Sequence, residues 1–293
     1  MSIQVTTAFV NQFSANVMQL AQQKGSKLRG AVRQENITGK SAFFDQIGPT
    51  AARRRTTRHS DTPRMDTPHA RRRLSVEDFD WADLIDQEDK VRMLIDPTSS
   101  YAQAAANAMG RSIDEVIVDA IRGTAQTDET GSTAVVLPTT SKIAVAATGL
   151  TKAKMITAKG LMDRADIDSD GRYIATTSEQ VENLLNITEV TSSDYATVKA
   201  LVQGEVNTWL GFTFINVNGL RADGTKIIPK VVNDRFCVAW QRDNVVLGIG
   251  ANPNARISER ADKNYATQVF YAMTIGAVRM QEAGVVELSC LEA

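Results

Sequence analysis

Apolar positions recur at helical spacing in two long stretches of the chain. In the first, Phe9, Phe13, Val17 and Leu20 predict an amphipathic helix over residues 8–23. In the second, Asp96 and Pro97 mark the beginning of a longer helix that ends at Gly123, and Gly110 within it is expected to allow a bend or close packing. The apolar face of this longer helix comprises Tyr101, Ala105, Ala108, Met109, Ser112, Ile113, Val116, Ile117, Ala120 and Ile121.

Beyond residue 123, the pattern indicates helices and strands in an irregular order. A helix is predicted over residues 150–164, and a strand over Arg172–Thr176 is followed by the capping-box pair Thr177 and Gln180. Because the order lacks the regular alternation of a nucleotide-binding sheet, the sequence predicts an α+β fold. Further strand patterns lie at residues 211–218, 236–240, 245–249, 255–281 and 285–288.

The segment from residue 30 to about residue 90 has no helical stripe and carries many charges. Pro63 and Pro68 exclude a helix in its middle. Both a disordered loop and an extended two-stranded hairpin fit this composition. The apolar pairs on either side, Phe43 with Phe44 and Phe79 with Trp81, favour a hairpin that rests on another surface.

Positive charge is concentrated in this segment. Residues 51–73 hold eight arginines and two aspartates, a net +6, whereas the whole chain carries −1 and the remainder therefore −7. This asymmetry indicates a partner, either nucleic acid or another copy of the chain. No aromatic residue, groove-reading helix or metal finger accompanies the arginines, which favours pairing with carboxylates across a subunit interface. The predicted interface residues are Arg53, Arg54, Arg55, Arg58, Arg64, Arg71, Arg72, Arg73, Phe43, Phe44, Phe79 and Trp81.

Motifs for catalysis or cofactor binding are incomplete. Thr38–Ser41 resembles the end of a phosphate-binding loop, but Gln34 stands where that motif needs a glycine. Asp166, Asp168 and Asp170 match the first half of a calcium loop, yet Thr177 stands where the last carboxylate belongs. These three aspartates are a weak candidate for a metal site, and we expect neither enzyme activity nor a cofactor.

Composition and apolar runs restrict the class of protein further. The chain is 43% hydrophobic and 23% charged, which is typical of globular proteins. No apolar run approaches the roughly 20 residues that span a bilayer, and the N-terminus lacks a signal-peptide pattern. We expect Cys237 and Cys290 to be reduced thiols in a cytosolic compartment and no membrane partner.

The order of these features resembles the major capsid proteins of tailed double-stranded DNA bacteriophages, the Hong Kong 97 type. The resemblance runs over almost the whole chain, although none of its motifs is diagnostic alone. Its parts are the basic hairpin before Trp81–Lys90, the helix from Ala102 to Gly123, the segment Gly204–Asn218 with Leu210-Gly211-Phe212, Asn244–Ile249, and Gly276–Arg279.

This resemblance implies a fold of five parts. They are an N-terminal arm (1–35), an extended loop (36–92), a peripheral domain with a spine helix (93–145), an axial domain (146–250) and returning peripheral strands (251–293). It also implies a shell of pentamers and hexamers around double-stranded DNA, located in the virion and assembled in the host cytoplasm. Separate scaffolding, portal and decoration proteins are implied as partners, with DNA contacted non-specifically.

Three alternatives stay open at this point. A metal-dependent enzyme would bind a cation stoichiometrically at Asp166, Asp168 and Asp170. A protein nanocompartment of the encapsulin type would share the fold but enclose protein cargo. A non-specific nucleic-acid-binding protein would use the arginines on phosphates, with an affinity that falls steeply with salt. Deletion of residues 53–73 is expected to leave a folded subunit that no longer forms closed shells.

Overall fold

The computed structural model describes residues 22–59, 61–62, 64–86, 98–186 and 208–292. The helix predicted over residues 8–23 falls almost entirely outside this range, as do residues 87–92 of the predicted extended loop. Within the described residues lie three α-helices, α1 (Thr98–Arg122), α2 (Lys152–Arg164) and α3 (Ser178–Leu185). No helix of this part of the chain is long and apolar enough to cross a membrane.

All three helices occur where the sequence predicts them. Gly123 follows the last residue of α1. At the start of α2, the Thr151 hydroxyl accepts a hydrogen bond from the Lys154 backbone N–H at 3.4 Å. Thr177 and Gln180 form the predicted capping box in front of α3. Local capping chemistry therefore fixes these boundaries.

The same residues form short and long strands in a mixed order. They are β1 (Arg33–Asn36), β2 (Ser41–Ile47), β3 (His69–Ser75), β4 (Glu77–Ile85), β5 (Ala125–Thr127), β6 (Thr133–Val135), β7 (Lys142–Ile143), β8 (Arg172–Thr176), β9 (Thr208–Trp209), β10 (Phe212–Asn216), β11 (Lys230–Val231), β12 (Asp234–Gln241), β13 (Val245–Arg260), β14 (Ala266–Arg279) and β15 (Val285–Leu291).

These strands assemble into three sheets within the described residues. The long sheet has the order β1-β13-β14-β4 and is built on the antiparallel pair β13 and β14. The wide sheet has the order β7-β15-β12-β8-β10-β9, with β11 attached to β12. The loop sheet has the order β2-β3-β5-β6. Helices combined with mixed parallel and antiparallel pairing confirm the predicted α+β class.

The main hydrophobic core joins α1 to the long and wide sheets. Trp240 of β12 is fully buried in it, and its indole N–H donates to the Ala31 carbonyl at 2.9 Å. The predicted face of α1 splits in two, with one row buried at a spacing of four residues and Tyr101, Ala108, Ser112, Val116 and Ala120 half-buried beside it. The fully covered members are Ala105, Met109, Ile113, Ile117 and Ile121.

Asp114 on α1 is fully buried, and hydrophobic periodicity does not reveal its role. Its carboxylate fixes the segment that precedes the fold, since it accepts hydrogen bonds from Gln23 Nε2 and Ser26 Oγ (2.5 Å each) and from the N–H groups of Lys27 and Leu28 (3.0 Å each). One turn away, a Cβ on Gly110 would collide with Gly25. Close packing is therefore the reason for this helical glycine.

The five-part division of the chain stays a prediction, and two strand pairings join segments that it assigns to different parts. Residues 285–291, which it assigns to the returning peripheral strands, form β15 and pair with β12 of the wide sheet. Residues 245–250, which it assigns to the axial domain, begin β13 of the long sheet. The partner of β15 lies more than 40 residues earlier, and β13 pairs with the distant β1 as well as with the adjacent β14, so local patterns do not reveal the full pairing.

Candidate assembly surface

The predicted basic hairpin is shorter than residues 36–92. Its antiparallel ladder runs from Ser41 opposite Ser75 to Ile47 opposite His69, and the Gly48 N–H donates to the Pro68 carbonyl at 2.8 Å. We call β2 and β3 the loop base and residues 48–68 the loop tip. The tip contains no strand among its described residues, because prolines interrupt it. Residues 77–85 belong to the long sheet instead, as β4.

The predicted aromatic anchors are mostly occupied inside their own subunit. Phe79 and Trp81 project from β4 onto the main core. Phe44 packs on a small cluster under the loop base. Phe43 is 41% exposed, and the Arg71 guanidinium lies 5.5 Å from its ring centre. Of the four aromatic residues predicted to contact a neighbour, only Phe43 presents a large part of its surface, because the others complete this subunit's core.

The arginines of the loop base are also engaged within the subunit. Arg72 is 7% exposed, donates to the Met280 carbonyl at 3.0 Å and contacts both carboxylate oxygens of Glu282 at 2.7 Å. Arg71 pairs with Asp45 at 2.6 Å. Arg73 is half-buried with its aliphatic carbons against Gly131. Arg71 and Arg72 therefore have carboxylate partners in their own chain, and contact of the eight arginines with a neighbour stays a prediction.

Glu282 links the loop base to a second buried arginine. Arg279 is fully buried, and its Nε lies 3.7 Å from Glu282. Its guanidinium donates to the carbonyls of Ile121, Gly123 and Val135 at 2.7, 2.9 and 3.1 Å. Burial lowers the pKa of Arg279, and Glu282 opposes that shift. The cluster of Arg72, Glu282 and Arg279 thereby connects the loop base to the C-terminal end of α1, where a cation is favourable.

The arginines of the loop tip have a different environment. Arg53, Arg54, Arg55, Arg58 and Arg64 are all exposed. Among the described residues, the only ion pair of this set joins Arg64 to Asp66 at 3.6 Å, with both side chains 93% exposed. An ion pair so exposed contributes little. These five guanidinium groups are available to another molecule.

A row of carboxylates on β4 was not predicted as part of the surface. Residues 77–86 contain five acidic residues and no basic one. Asp83 is half-buried, and the other four are exposed. None forms an ion pair within the described part of the chain. The run was visible in the sequence as a local excess of one charge. The five are Glu77, Asp78, Asp80, Asp83 and Asp86.

The turn that contains the weak metal candidate is bound by a buried arginine. Arg172 is 3% exposed and donates to the Asp163 carboxylate at 2.6 Å and to the carbonyls of Ile167 and Asp168 at 2.5 and 2.8 Å. Arg172 thus fixes the turn through Asp163 and two backbone carbonyls, and the metal candidate of Asp166, Asp168 and Asp170 stays a prediction. No group of three metal-binding side chains occurs among the residues that the structure describes. Cys237 and Cys290 are buried free thiols.

The fold and the sequence both match phage capsid proteins. Residues 5–292 match the family model described as phage capsid protein. The capsid structure of the cyanophage P-SCSP1u matches with a TM-score of 0.74 and 18% identity over 99% of this chain and 95% of that chain. A structure from Mycobacterium phage Che8 matches with a TM-score of 0.72 and 14% identity over 96% and 97%.

A more distant match is the capsid of a native GTA particle, with a TM-score of 0.65 and 11% identity over 97% and 96% of the two chains. No curated protein matches the sequence. The fold is therefore that of a capsid subunit of the Hong Kong 97 type, as the sequence resemblance implied. The chain belongs to the phage capsid protein family, and its function is that of a structural capsid protein.

Proposed function

We propose that this protein is the main building block of an icosahedral shell, that it assembles as pentamers and hexamers, and that the shell encloses double-stranded DNA. The family match over residues 5–292 supports the role in a shell. The observation that carries self-assembly is the loop, whose base is fixed by the buried ion pair of Arg72 with Glu282 while its tip offers five unpaired or weakly paired arginines. A loop with a fixed base and exposed arginines at its tip is suited to pairing with carboxylates of a neighbouring subunit.

The proposal includes further partners and a place of action. Separate scaffolding, portal and decoration proteins would assist assembly in the host cytoplasm, and the finished shell would belong to the virion. The role is structural, without catalysis or a cofactor. The N-terminal arm, extended loop, peripheral domain and axial domain are kept as the proposed division of the chain.

Two alternative functions receive less support. The matched structures come from phages and a GTA particle, which favours a phage shell over a protein nanocompartment. A nucleic-acid-binding protein would need a binding surface around its arginines. In this chain, the three arginines nearest the body are occupied by Asp45, Glu282 and local packing, and the tip contains no aromatic residue for stacking on bases.

The test is a precise removal of the loop tip. Deletion of residues 53–73 is not expected to leave a folded subunit, because it removes most of β3. The buried Arg72 is lost with the strand, and β2 loses its partner in the loop sheet. Since Gly48 and Pro68 are already hydrogen bonded, a short Asn-Gly turn can replace residues 49–67 and leave the ladder intact.

We expect the shortened chain to melt at the temperature of the full chain and to form no closed shells. Negative-stain microscopy and light scattering measure assembly, and circular dichroism measures folding. A control that replaces residues 49–67 by a Gly-Ser segment of equal length separates loss of the arginines from loss of length. Normal shells from the shortened chain would refute the role of the loop tip.

A further inference from the structure

Only one asparagine in the sequence is followed by a glycine, at Asn218–Gly219. This pair follows β10, and its backbone is fixed on both sides. The Val217 N–H donates to the Thr176 carbonyl at 2.8 Å, and the Gly219 carbonyl accepts from the Ile227 N–H at 2.9 Å. The Gly219 N–H itself forms no hydrogen bond within the described part of the chain. Because glycine has no side chain, its nitrogen is open to the preceding side-chain amide.

The side-chain amide of Asn218 is exposed and contacts the first residue of α3, Ser178. Its Oδ1 accepts a hydrogen bond from the Ser178 backbone N–H at 3.2 Å. Its Nδ2 donates to Ser178 Oγ at 2.6 Å and to Asn216 Oδ1 at 2.8 Å. The first N–H groups of a helix have no partner inside it and form the positive end of its dipole. The amide oxygen therefore faces a positive helix end, and the amide nitrogen faces a hydroxyl.

From this arrangement we infer that Asn218 is a site of self-modification, at which Ser178 assists the conversion of the side-chain amide to a carboxylate. The Gly219 nitrogen loses its proton to solvent hydroxide and bonds to Cγ of Asn218, so that negative charge develops on Oδ1. The bond between Cγ and Nδ2 then breaks, and ammonia leaves. Water opens the resulting cyclic imide and gives aspartate or isoaspartate at position 218.

Ser178 supplies both groups that this reaction needs. Its N–H lies where the negative charge on Oδ1 develops, which is the role of a backbone donor in an oxyanion hole. Its hydroxyl contacts Nδ2, and this hydrogen bond reverses once the nitrogen gains a lone pair, so that the hydroxyl donates the proton with which ammonia leaves. Water then returns the proton to Ser178. The capping box of Thr177 and Gln180 fixes the start of α3 and with it both donors.

The position also suits the product. A carboxylate at position 218 keeps the acceptor for the Ser178 N–H and adds negative charge at the N-terminus of α3, where an anion is favourable. Lys27, whose Nζ donates to the Asn216 carbonyl at 2.7 Å, supplies a cation nearby. In an assembly whose copies persist without replacement, the converted fraction rises with age, and each conversion adds one negative charge to a copy.

A simpler role competes with this inference. The hydrogen bonds of Asn218 would also hold the turn between β10 and the following hairpin, without any reaction. In that case they keep the amide carbon away from the Gly219 nitrogen, and the folded chain reacts more slowly than the unfolded chain. The assisted reaction requires the opposite order of rates, so the two roles are distinguishable.

The test measures conversion at position 218 in the full-length chain. Folded protein and protein unfolded in guanidinium chloride are incubated at the same mildly alkaline pH, and peptide mass spectrometry follows the loss of the amide. A protein-isoaspartate methyltransferase detects the isoaspartate product. Asn254, which is exposed and followed by Ala255, is the internal reference. We expect Asn218 to react faster in the folded chain than in the unfolded chain, by roughly tenfold or more, and Asn254 to stay largely unconverted.

Two variants of Ser178 separate its hydroxyl from its N–H. Ser178→Ala removes only the hydroxyl, whereas Ser178→Pro also removes the N–H and suits the first position of a helix. The preceding Thr177 is already extended, with φ −96° and ψ 173°, as a residue before proline must be. We expect the folded rate to fall by roughly tenfold in Ser178→Ala and further in Ser178→Pro. The unfolded rates should not change, because Ser178 lies 40 positions from Asn218 in the sequence. Asn218→Gln is the control that releases no ammonia here, since its longer side chain closes a larger ring.

Two results would overturn the inference. Slower conversion in the folded chain than in the unfolded chain would show that the contacts of Asn218 protect it. Equal folded rates in the unaltered protein and in Ser178→Ala would remove Ser178 from the reaction. Circular dichroism checks that the variants fold, and if Ser178→Pro does not, the alanine variant and the comparison of folded with unfolded chain decide. All these rates are measured without assembly, so neither result bears on the proposed function.

Discussion

The loop base and the loop tip use the same residue type for two purposes. Arg72 at the base is 7% exposed and contacts both oxygens of Glu282, whereas Arg53 and Arg54 at the tip are exposed and have no ion-pair partner among the described residues. Burial with a partner makes an arginine part of the subunit's own structure. Exposure without one leaves it for contact with another molecule.

This difference separates stability from assembly. Removing one member of a buried ion pair leaves the other charge without a partner and lowers the free energy of unfolding by about 3–5 kcal/mol. An exposed pair contributes about 0–1 kcal/mol. Changes at the base should therefore lower the free energy of unfolding of the single subunit. Changes at the tip should leave that quantity unchanged and affect only contacts between copies.

The largest effect is expected from Arg279→Ala. This change leaves the carbonyls of Ile121, Gly123 and Val135 without their donor and removes one neighbour of Glu282. We expect the free energy of unfolding to fall by about 3–5 kcal/mol, measured by urea denaturation of the unassembled subunit. Arg53→Ala is the matched control and should change nothing. A loss under about 1 kcal/mol would contradict the role given to the buried cluster.

A second buried pair extends the comparison to acid pH. Glu292 is 3% exposed, and its carboxylate receives hydrogen bonds from Arg235 Nε and Nη2. Burial is the largest single influence and opposes ionisation. The hydrogen bonds with Arg235 and Glu179 and the charges of Arg235 and Lys226 together outweigh it and lower the pKa of Glu292 to about 2. Because the folded pKa lies below the ordinary value of 4.5, this pair stabilises the protein above pH 4.5. Its contribution is lost as pH falls toward about 2.

Unfolding curves between pH 7 and pH 2 test this expectation, with Glu292→Gln as the comparison. The variant should be less stable at pH 7 and should lose less on acidification. Burial and a hydrogen bond to Glu292 raise the pKa of the neighbouring Glu179, so that residue acts in the opposite direction, with stability lost as pH rises. A Glu179→Gln control separates the two carboxyls. Parallel pH curves for Glu292→Gln and the unaltered protein would show that the pair does not govern acid stability.

Local patterns were sufficient for much of the fold. The end of α1 before Gly123, the capping box at Thr177 and Gln180, and β8 over Arg172–Thr176 all appear as predicted, because each depends on residues within one turn or one strand. The predicted beginning of α1 at Asp96 and Pro97 lies outside the described residues. Local patterns did not predict which arginines of the loop are buried at its base and which are exposed at its tip. Arg72 is buried because Glu282 and Met280 lie beside it, and they follow it by 210 and 208 residues in the sequence.

The roles of Asp114 and β15 also depend on residues far away in the sequence, so local patterns do not predict them. Asp114 accepts hydrogen bonds from residues about 90 positions earlier in the chain. β15 pairs with β12, and the strands β13 and β14 of the long sheet lie between the two in the sequence. The acidic row on β4 is a different case, since it is local and was visible as a run of like charge. Its place in the fold depends on the register with β14, in which Glu77 lies opposite Ile275 and Ile85 opposite Thr267.

The smallest effect on stability is expected from the tip itself. Replacing Arg53, Arg54 and Arg58 together by alanine removes three exposed side chains that form no ion pair in the described residues. We expect the free energy of unfolding of the unassembled subunit to stay within about 0.5 kcal/mol of the unaltered value, while assembly is lost. Urea denaturation and light scattering on the same preparations measure both quantities. A destabilised subunit would mean that the tip folds back on its own body, and the contrast between base and tip would disappear.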